Sequence, residues 1–321
     1  MSKKLFTVSA FTGIGGFDFG AKLAGFESIL RSDYCPVKGK VFEMNKDDDG
    51  SKRIPEHFRS EGVMWAGEKG DINNMILPES ISEVRKLVTD KMGVNGSVDV
   101  IMGGPVCHQV SSANPNSSPD GEKNELMFTY LEFIRLMQPK VALMEQVPRI
   151  LAENYRNVLD RIVAEIGSWG NYYVRYKKMN ALDYGSKQDR KRVIFMLVRK
   201  DIGVRPSFPK PIPYNIQEVC VKALFPEVGL FKVYDRAIKM HNSTKPFPTL
   251  VVGTPYGFIR DGIETKMSIE EKKKVSDVEG VILKDESYEV TEKHANILLG
   301  NMVQVHFSEA LFKHIRDVIL K

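Results

Sequence analysis

Apolar runs alternate with amphipathic stretches over the first 200 residues of the chain. Leu5 to Phe11 is apolar, a glycine-rich turn follows, and a helical pattern then continues to Gly25. Val98 to Met102 and Val141 to Met144 have the length and composition of buried strands, and amphipathic stretches between them have helical spacing. This alternation predicts an α/β fold with a doubly wound, mostly parallel sheet, as in Rossmann-like proteins.

The pattern changes after Asp201, where eight prolines fall between residues 206 and 255 and helical periodicity largely disappears. Regular patterning returns near Ser268, and a final helix is predicted at about Ser308 to Leu320. We therefore expect a large α/β domain over 1–204, a small irregular domain over 205–260, and a return to the first domain over 261–321.

Composition narrows the class of protein only slightly. The net charge of +5 suits a polyanionic partner such as nucleic acid without requiring one. Three widely spaced cysteines and no CxxC pair argue against a disulfide framework or a structural zinc site, so no metal is expected. The chain begins without a signal-peptide pattern and has no apolar run of membrane-spanning length. We expect a cytoplasmic monomer that does not contact membranes.

The first strand leads into the glycine turn Thr12 to Gly16, and the next apolar run ends at Asp33. Glycines allow a ligand to approach the backbone closely, and a carboxylate about 20 residues further on can accept hydrogen bonds from ribose. Tyr34 could stack on adenine, and Asp71 follows a third segment. The turn alone could be structural, but the combination predicts an adenosine site, and the lack of a Walker lysine disfavours a nucleoside triphosphate.

Cys107 follows Gly103 to Val106 at the end of a predicted strand and precedes the polar stretch 111–123. A lone cysteine is usually a small buried apolar residue. Its position at a strand end before a polar loop favours exposure in a cleft, and nearby arginines could stabilise its thiolate. We therefore predict a nucleophile at Cys107.

Glu145 ends the apolar run at 141–144, where a carboxylate is costly to bury without a partner. The residue could form a structural ion pair, or it could present a proton or hydrogen bond to a substrate ring. Gln188, Arg190 and Arg192 alternate at period two and would share one face of an extended segment. Such donors suit a phosphate, a base edge or the carboxylate of Glu145, although a solvated basic edge would give the same pattern.

Six motifs occur in an order that resembles the cytosine-C5 DNA methyltransferase family. The resemblance covers both ends of the chain and all but roughly residues 205–245. Two motifs depart from the family pattern: Val106-Cys107-His108 replaces Pro-Cys-Gln, and Glu145-Gln146-Val147 replaces Glu-Asn-Val. The motifs are Phe11-x-Gly13-x-Gly15-Gly16, Gly70-Asp71-Ile72, Gly104-Pro105-Val106-Cys107, Glu145-Gln146-Val147, Gln188-x-Arg190-x-Arg192 and Gly300-Asn301-x-Val303.

The resemblance implies a reaction on cytosine in double-stranded DNA. Cys107 would add to C6 of a flipped base, Glu145 would contact N3 and the exocyclic amine, and Arg192 would orient the base and Glu145. Arg190, in the same motif, completes the expected catalytic set. S-adenosyl-L-methionine would be the methyl donor and S-adenosyl-L-homocysteine the product. The resemblance places the cofactor against Phe11, Gly13, Ile14, Gly15, Gly16, Asp33, Tyr34, Asp71, Ile72, Gly104, Pro105, Leu126, Asn301 and Val303. The expected DNA contacts are His108, Ser111, Gln188, Lys210, Arg236 and Lys245.

The segment 205–260 would be the target-recognition domain, and its small size predicts a short recognition sequence of about two to four base pairs. Three alternatives remain open at the level of sequence. They are a methyltransferase acting on RNA or on a modified pyrimidine, a non-catalytic nucleic-acid-binding relative, and a nicotinamide dehydrogenase on a similar sheet. The glycine pattern and the Cys, Glu and Arg set disfavour the last.

Overall fold

A seven-stranded sheet forms the centre of the molecule in a computed structural model, which describes residues 4–46, 54–93, 97–105, 124–234 and 238–321. The strand order is β3-β2-β1-β4-β5-β8-β6. The first five strands of this order pair in parallel, and β8 runs antiparallel to both β5 and β6. The predicted mostly parallel sheet is therefore confirmed. The strands of this sheet are β1 Leu5–Ala10, β2 Phe26–Asp33, β3 Val63–Ala66, β4 Val100–Gly103, β5 Val141–Gln146, β6 Tyr172–Asn180 and β8 Lys191–Arg199. The short strand β7 Gln188–Asp189 pairs instead with β11 Phe247–Pro248 in a separate two-stranded sheet.

Helices cover both faces of this sheet, as the doubly wound prediction requires. One face packs against α3 to α6 through residues such as Val84, Phe133 and Ile162. The other face packs against α1 and α11 through Phe17 and Phe307. The helices of this domain are α1 Gly16–Leu23, α2 Pro36–Met44, α3 Ile72–Met75, α4 Pro78–Met92, α5 Glu125–Met137 and α6 Arg156–Ser168.

The segment expected to be irregular contains a four-stranded antiparallel sheet, in the order β10-β9-β12-β13. It has a core of its own, which includes Val221, Phe231 and Phe258. The prolines that interrupt the sequence pattern of this segment lie outside the four strands. The last strand, β13, lies beyond residue 260, the predicted end of the small domain. The predicted domain limits stay predictions. The elements are α7 Ile216–Val219, α8 Val221–Leu224, β9 Val228–Tyr234, β10 Ile238–Asn242, β11 Phe247–Pro248, β12 Tyr256–Arg260 and β13 Ile263–Lys266.

The C-terminal segment returns to the large sheet through α9 Ile269–Val275, α10 Glu292–Asn301 and α11 Val305–His314. The last helix begins three residues before the predicted Ser308 and continues as a π-helical turn over Ile315–Ile319. Ser308 Oγ donates a hydrogen bond to the carbonyl of Phe17, which fixes α11 against α1. None of the helices in the described ranges is long and apolar enough to cross a membrane.

Candidate active site and cofactor site

Glu145 and Arg192 form an ion pair at the carboxyl end of β5. Arg192 Nε lies 2.5 Å from Glu145 Oε1, and both side chains are largely buried. Arg192 Nη1 also donates to the carbonyl of Lys191, which fixes its guanidinium. The pairing of β5 with β8 brings the two residues together, because Gln146 lies opposite Val193 in the register. The pair presents a fixed carboxylate at the sheet edge where open α/β folds bind their ligands.

The end of β4 lies directly beside this carboxylate. A Cβ atom placed on Gly104 would be 3.1 Å from Glu145 Oε2, so a larger residue here would crowd the acid. Gln146 is fully buried and donates from Nε2 to the carbonyl of Pro105 at 2.9 Å. Within the described residues, Gln146 Oε1 has no hydrogen-bond partner. Gln146 therefore fixes the chain one residue before Val106, a role that the sequence did not suggest.

Several predicted site residues lie outside the described residues: Cys107, His108, Ser111 and Arg236. Their assigned roles stay predictions. Lys210 and Lys245 are both exposed, as a contact with DNA requires.

Gln188 and Arg190 are buried and contact the C-terminal half of the chain. Gln188 donates to the carbonyl of Val275 and to Ser276 Oγ and accepts from the backbone N–H of Leu250. Arg190 donates to the carbonyls of Leu250 and Gly300 at 3.1 and 3.0 Å. Among the contacts of the described residues, Arg192 is paired with Glu145, whereas Gln188 and Arg190 bind segments of the C-terminal half. The expected DNA contact of Gln188 and the expected catalytic role of Arg190 stay predictions.

The glycine turn between β1 and α1 contains residues with positive φ, as its glycine content predicts. Phe11 and Gly13 have φ values of 54° and 62°, and Gly15 has a φ of 92°. A Cβ on Gly13 would meet no atom of the described residues within 4 Å, so this part of the turn is open within the described structure. Phe11 packs edge-on against Tyr130, whose hydroxyl donates to the carbonyl of Leu143. Burial raises the pKa of Tyr130 well above its ordinary value, so its hydroxyl stays protonated.

Asp33 connects this turn to the end of β2. Its Oδ2 accepts from the backbone N–H of Gly13 at 3.1 Å, and its Oδ1 accepts from that of Cys35 at 3.0 Å. Lys38 Nζ lies 2.6 Å from Oδ2. Tyr34, the next residue, is 64% exposed, so its ring is free to pack against a ligand. The sequence did not indicate Lys38 as a partner of this acid.

A buried ion pair between Asp18 and Arg31 stabilises the glycine turn. Asp18 accepts hydrogen bonds from Ser9 Oγ at 2.9 Å and Thr12 Oγ1 at 2.6 Å, and Arg31 Nε lies 3.2 Å from the same carboxylate. The Arg31 guanidinium packs over the rings of Phe19 and Phe42. The sequence analysis missed this network, although an aspartate among the apolar residues of α1 was a usable signal for it.

The motifs that hold the remaining predicted cofactor residues include two glycines that approach backbone atoms of other segments closely. A Cβ on Gly16 would lie 2.0 Å from the carbonyl of Val303, and one on Gly70 would lie 2.5 Å from the carbonyl of Asp33. Asp71 accepts from the backbone N–H of Asn73 as the N-cap of α3. Ile72 and Ile14 are buried, Leu126 is half-buried and Asn301 is exposed. Gly16 of the first motif thus contacts Val303 of the last motif, and Gly70 packs against the end of β2, as the sequence order could not show.

No group of three or more His, Cys, Asp or Glu side chains in the described part of the chain could hold a metal ion.

Comparison with known proteins supports the family resemblance that the six sequence motifs indicate. A family model for C-5 cytosine-specific DNA methylases matches residues 71–296. The type II methyltransferase M.NgoPII of Neisseria gonorrhoeae is 30% identical over 203 residues, which cover 63% of this chain and 50% of the relative. M.FnuDI of Fusobacterium nucleatum is 30% identical over 206 residues, which cover 64% and 50% respectively. The chain therefore spans about half the length of these curated relatives.

A crystal structure from E. coli, described as a DNA modification methyltransferase encoded within a prophage, has the same fold. It aligns with a TM-score of 0.64 over 99% of this chain and 100% of that chain, at 17% sequence identity. The match to the family model extends over more than half of the residues and includes the Glu145–Arg192 pair. This chain belongs to the C-5 cytosine-specific DNA methylase family.

Proposed function

We propose that this protein transfers a methyl group from S-adenosyl-L-methionine to C5 of cytosine in double-stranded DNA. The Glu145–Arg192 ion pair beside Gly104 carries this proposal, because it supplies a fixed carboxylate where the chain leads into Cys107. The family membership supports the same chemistry, and the motif order supports the assignment of the nucleophile.

The residues present fit the methyl donor. Gly13 leaves open space at the turn, Asp33 offers a carboxylate for ribose hydroxyls, and the exposed ring of Tyr34 can stack on adenine. Gly16 and Val303 would close the site from the side of α1 and α11. When bound, the donor supplies an electrophilic methyl group on a sulfonium.

In the proposed mechanism the thiolate of Cys107 adds to C6 of a base turned out of the helix. As the C6–S bond forms, Glu145 delivers a proton to N3 and binds the exocyclic amine, so that the adduct is a neutral enamine with a nucleophilic C5. Arg192 holds Glu145 in place through Nε. C5 then takes the methyl group, which leaves S-adenosyl-L-homocysteine. A base removes the C5 proton, the C5–C6 double bond re-forms, the C6–S bond breaks to release the thiolate, and N3 returns its proton to Glu145.

The test uses labelled S-adenosyl-L-methionine and duplex DNA, with 5-methylcytosine as the measured product. We expect product from the wild type and from Cys220→Ser, which changes a buried cysteine of the small domain, and none from Cys107→Ser. DNA containing 5-fluorocytosine should form a covalent complex with the wild type and with Cys220→Ser, but not with Cys107→Ser. Absence of 5-methylcytosine with the wild type would refute the proposal.

A further inference from the structure

The outer strand of the large sheet carries a run of exposed basic residues. Tyr172 and Met179 of β6 are buried, whereas Arg175, Lys177 and Lys178 are exposed. We call these three residues the edge strip. Across the described residues, none of the three forms an ion pair; the neighbouring acids Asp160 and Asp189 are already paired with Arg156 and Lys191.

The strand register places Lys177 and Lys178 of the edge strip at the end of the sheet where Glu145 and Arg192 lie. Lys178 lies opposite Val193 and Lys177 opposite Ile194, so both are within two positions of Arg192 along the sheet. Two strand spacings separate β6 from β5, which corresponds to about 10 Å. Because successive side chains of a strand point to opposite faces of the sheet, Lys177 and Lys178 lie on the two sides of this edge.

The geometry of DNA makes this position significant. Each strand of a duplex carries one phosphate about every 3.4 Å along the helix axis. A backbone that extends a few nucleotides from a base held at Glu145 therefore spans the distance to the end of β6. Phosphates would neutralise the three unpaired cations of the edge strip.

The edge strip could instead serve only to protect a sheet edge, because charged side chains on outer strands prevent pairing with other chains. Protection of that kind works with either sign of charge. All three charges here are positive, which favours an anionic partner and gives a way to separate the two roles.

We infer that the edge strip is a docking surface for the phosphate backbone of duplex DNA beside the target base. The inference rests on the proposed function. It assigns Lys177 and Lys178 to affinity for DNA of any sequence, since phosphate contacts carry no sequence information.

The experiment measures the affinity for a fluorescein-labelled duplex by anisotropy across a series of KCl concentrations. For Lys177→Gln/Lys178→Gln we expect the slope of log K against log salt to fall in magnitude by about 1.8, because each lost phosphate contact contributes about 0.9. Turnover at saturating DNA should stay within twofold of the wild type. The matched control Lys86→Gln/Lys321→Gln removes the same charge from exposed residues elsewhere and should leave the slope unchanged.

Lys177→Glu/Lys178→Glu keeps the edge charged and should stay monomeric by light scattering, yet bind DNA more weakly than the glutamine variant. An unchanged slope in the edge-strip variants, or an equal change in the control, would overturn the inference. Thermal midpoints equal to the wild type establish that the variants are folded. If the wild type makes no 5-methylcytosine but its slope depends on the edge strip, the proposed function fails and the docking surface stands. A wild type that does not bind duplex DNA overturns both.

Discussion

At the scale of single residues, Arg190 and Arg192 stand two positions apart but contact different parts of the molecule. Arg192 pairs with Glu145 at the sheet edge, whereas Arg190 donates to the carbonyls of Leu250 and Gly300. A guanidinium presents several donors in a fixed plane, and an ammonium cannot reproduce that arrangement. The same substitution should therefore have different consequences at the two positions.

We expect Arg192→Lys to lower turnover by about 100-fold, since it removes the donor that fixes the acid, while leaving affinity for the cofactor unchanged. Arg190→Lys should instead lower the free energy of unfolding by about 1–3 kcal/mol, because buried carbonyls lose their donors. Steady-state kinetics and urea denaturation of both variants check this pair. Equal losses of turnover with unchanged stability would contradict the assignment of Arg190 to a structural contact.

At the scale of elements, the packing of α1 against α11 determines the shape of the glycine turn, Thr12 to Gly16. Glycines on α1 allow the two helices to approach closely. A Cβ on Gly16 would lie 2.0 Å from the carbonyl of Val303, and one on Gly20 would lie 2.4 Å from the Cβ of Ser308. Since Val303 belongs to the last motif, this approach joins the two ends of the chain at the proposed cofactor site.

Gly16→Ala should destabilise the protein by about 1–3 kcal/mol, because the added methyl group must displace backbone atoms. It should also weaken binding of S-adenosyl-L-methionine, because the turn would move away from α11. Gly167→Ala is the matched control: this glycine lies in α6 with no atom within 4 Å of an added Cβ, and alanine favours a helix by about 0.5–1 kcal/mol. Denaturation and calorimetric titration measure both effects; retained cofactor affinity in Gly16→Ala would contradict the proposed role of this contact.

At the scale of the whole molecule, the sequence patterns predicted the features that local hydrophobic periodicity determines. The order of strands and helices follows from them, as do the positions of Asp33 and Glu145 at strand ends. Contacts between distant segments could not be predicted in this way. The burial of Arg190 depends on residues 60 and 110 positions away, and the small antiparallel sheet consists of short strands between prolines.

Another long-range contact holds the C-terminal segment against the large domain. Asp277 follows α9 and is buried, and Lys187 Nζ approaches its carboxylate to 3.3 Å. Burial raises the pKa of Asp277 despite the opposing effect of Lys187. The folded protein therefore keeps the Asp277 proton to a higher pH than the unfolded chain does.

This difference makes the ionisation of Asp277 unfavourable for folding, because stability falls with pH wherever the folded state binds more protons. As the pH rises above 3.8, the ordinary value for this carboxyl, Asp277→Asn should gain stability relative to the wild type, by about 1 kcal/mol in total. Asp261→Asn is the control, because Asp261 and Asp277 both have a positive φ, of 48° and 59°, but Asp261 is exposed. Urea denaturation of both variants from acid to neutral pH provides the measurement. A constant stability difference for Asp277→Asn would mean that Lys187 fully compensates the burial, whereas a rising difference identifies Asp277 as a source of instability near neutral pH.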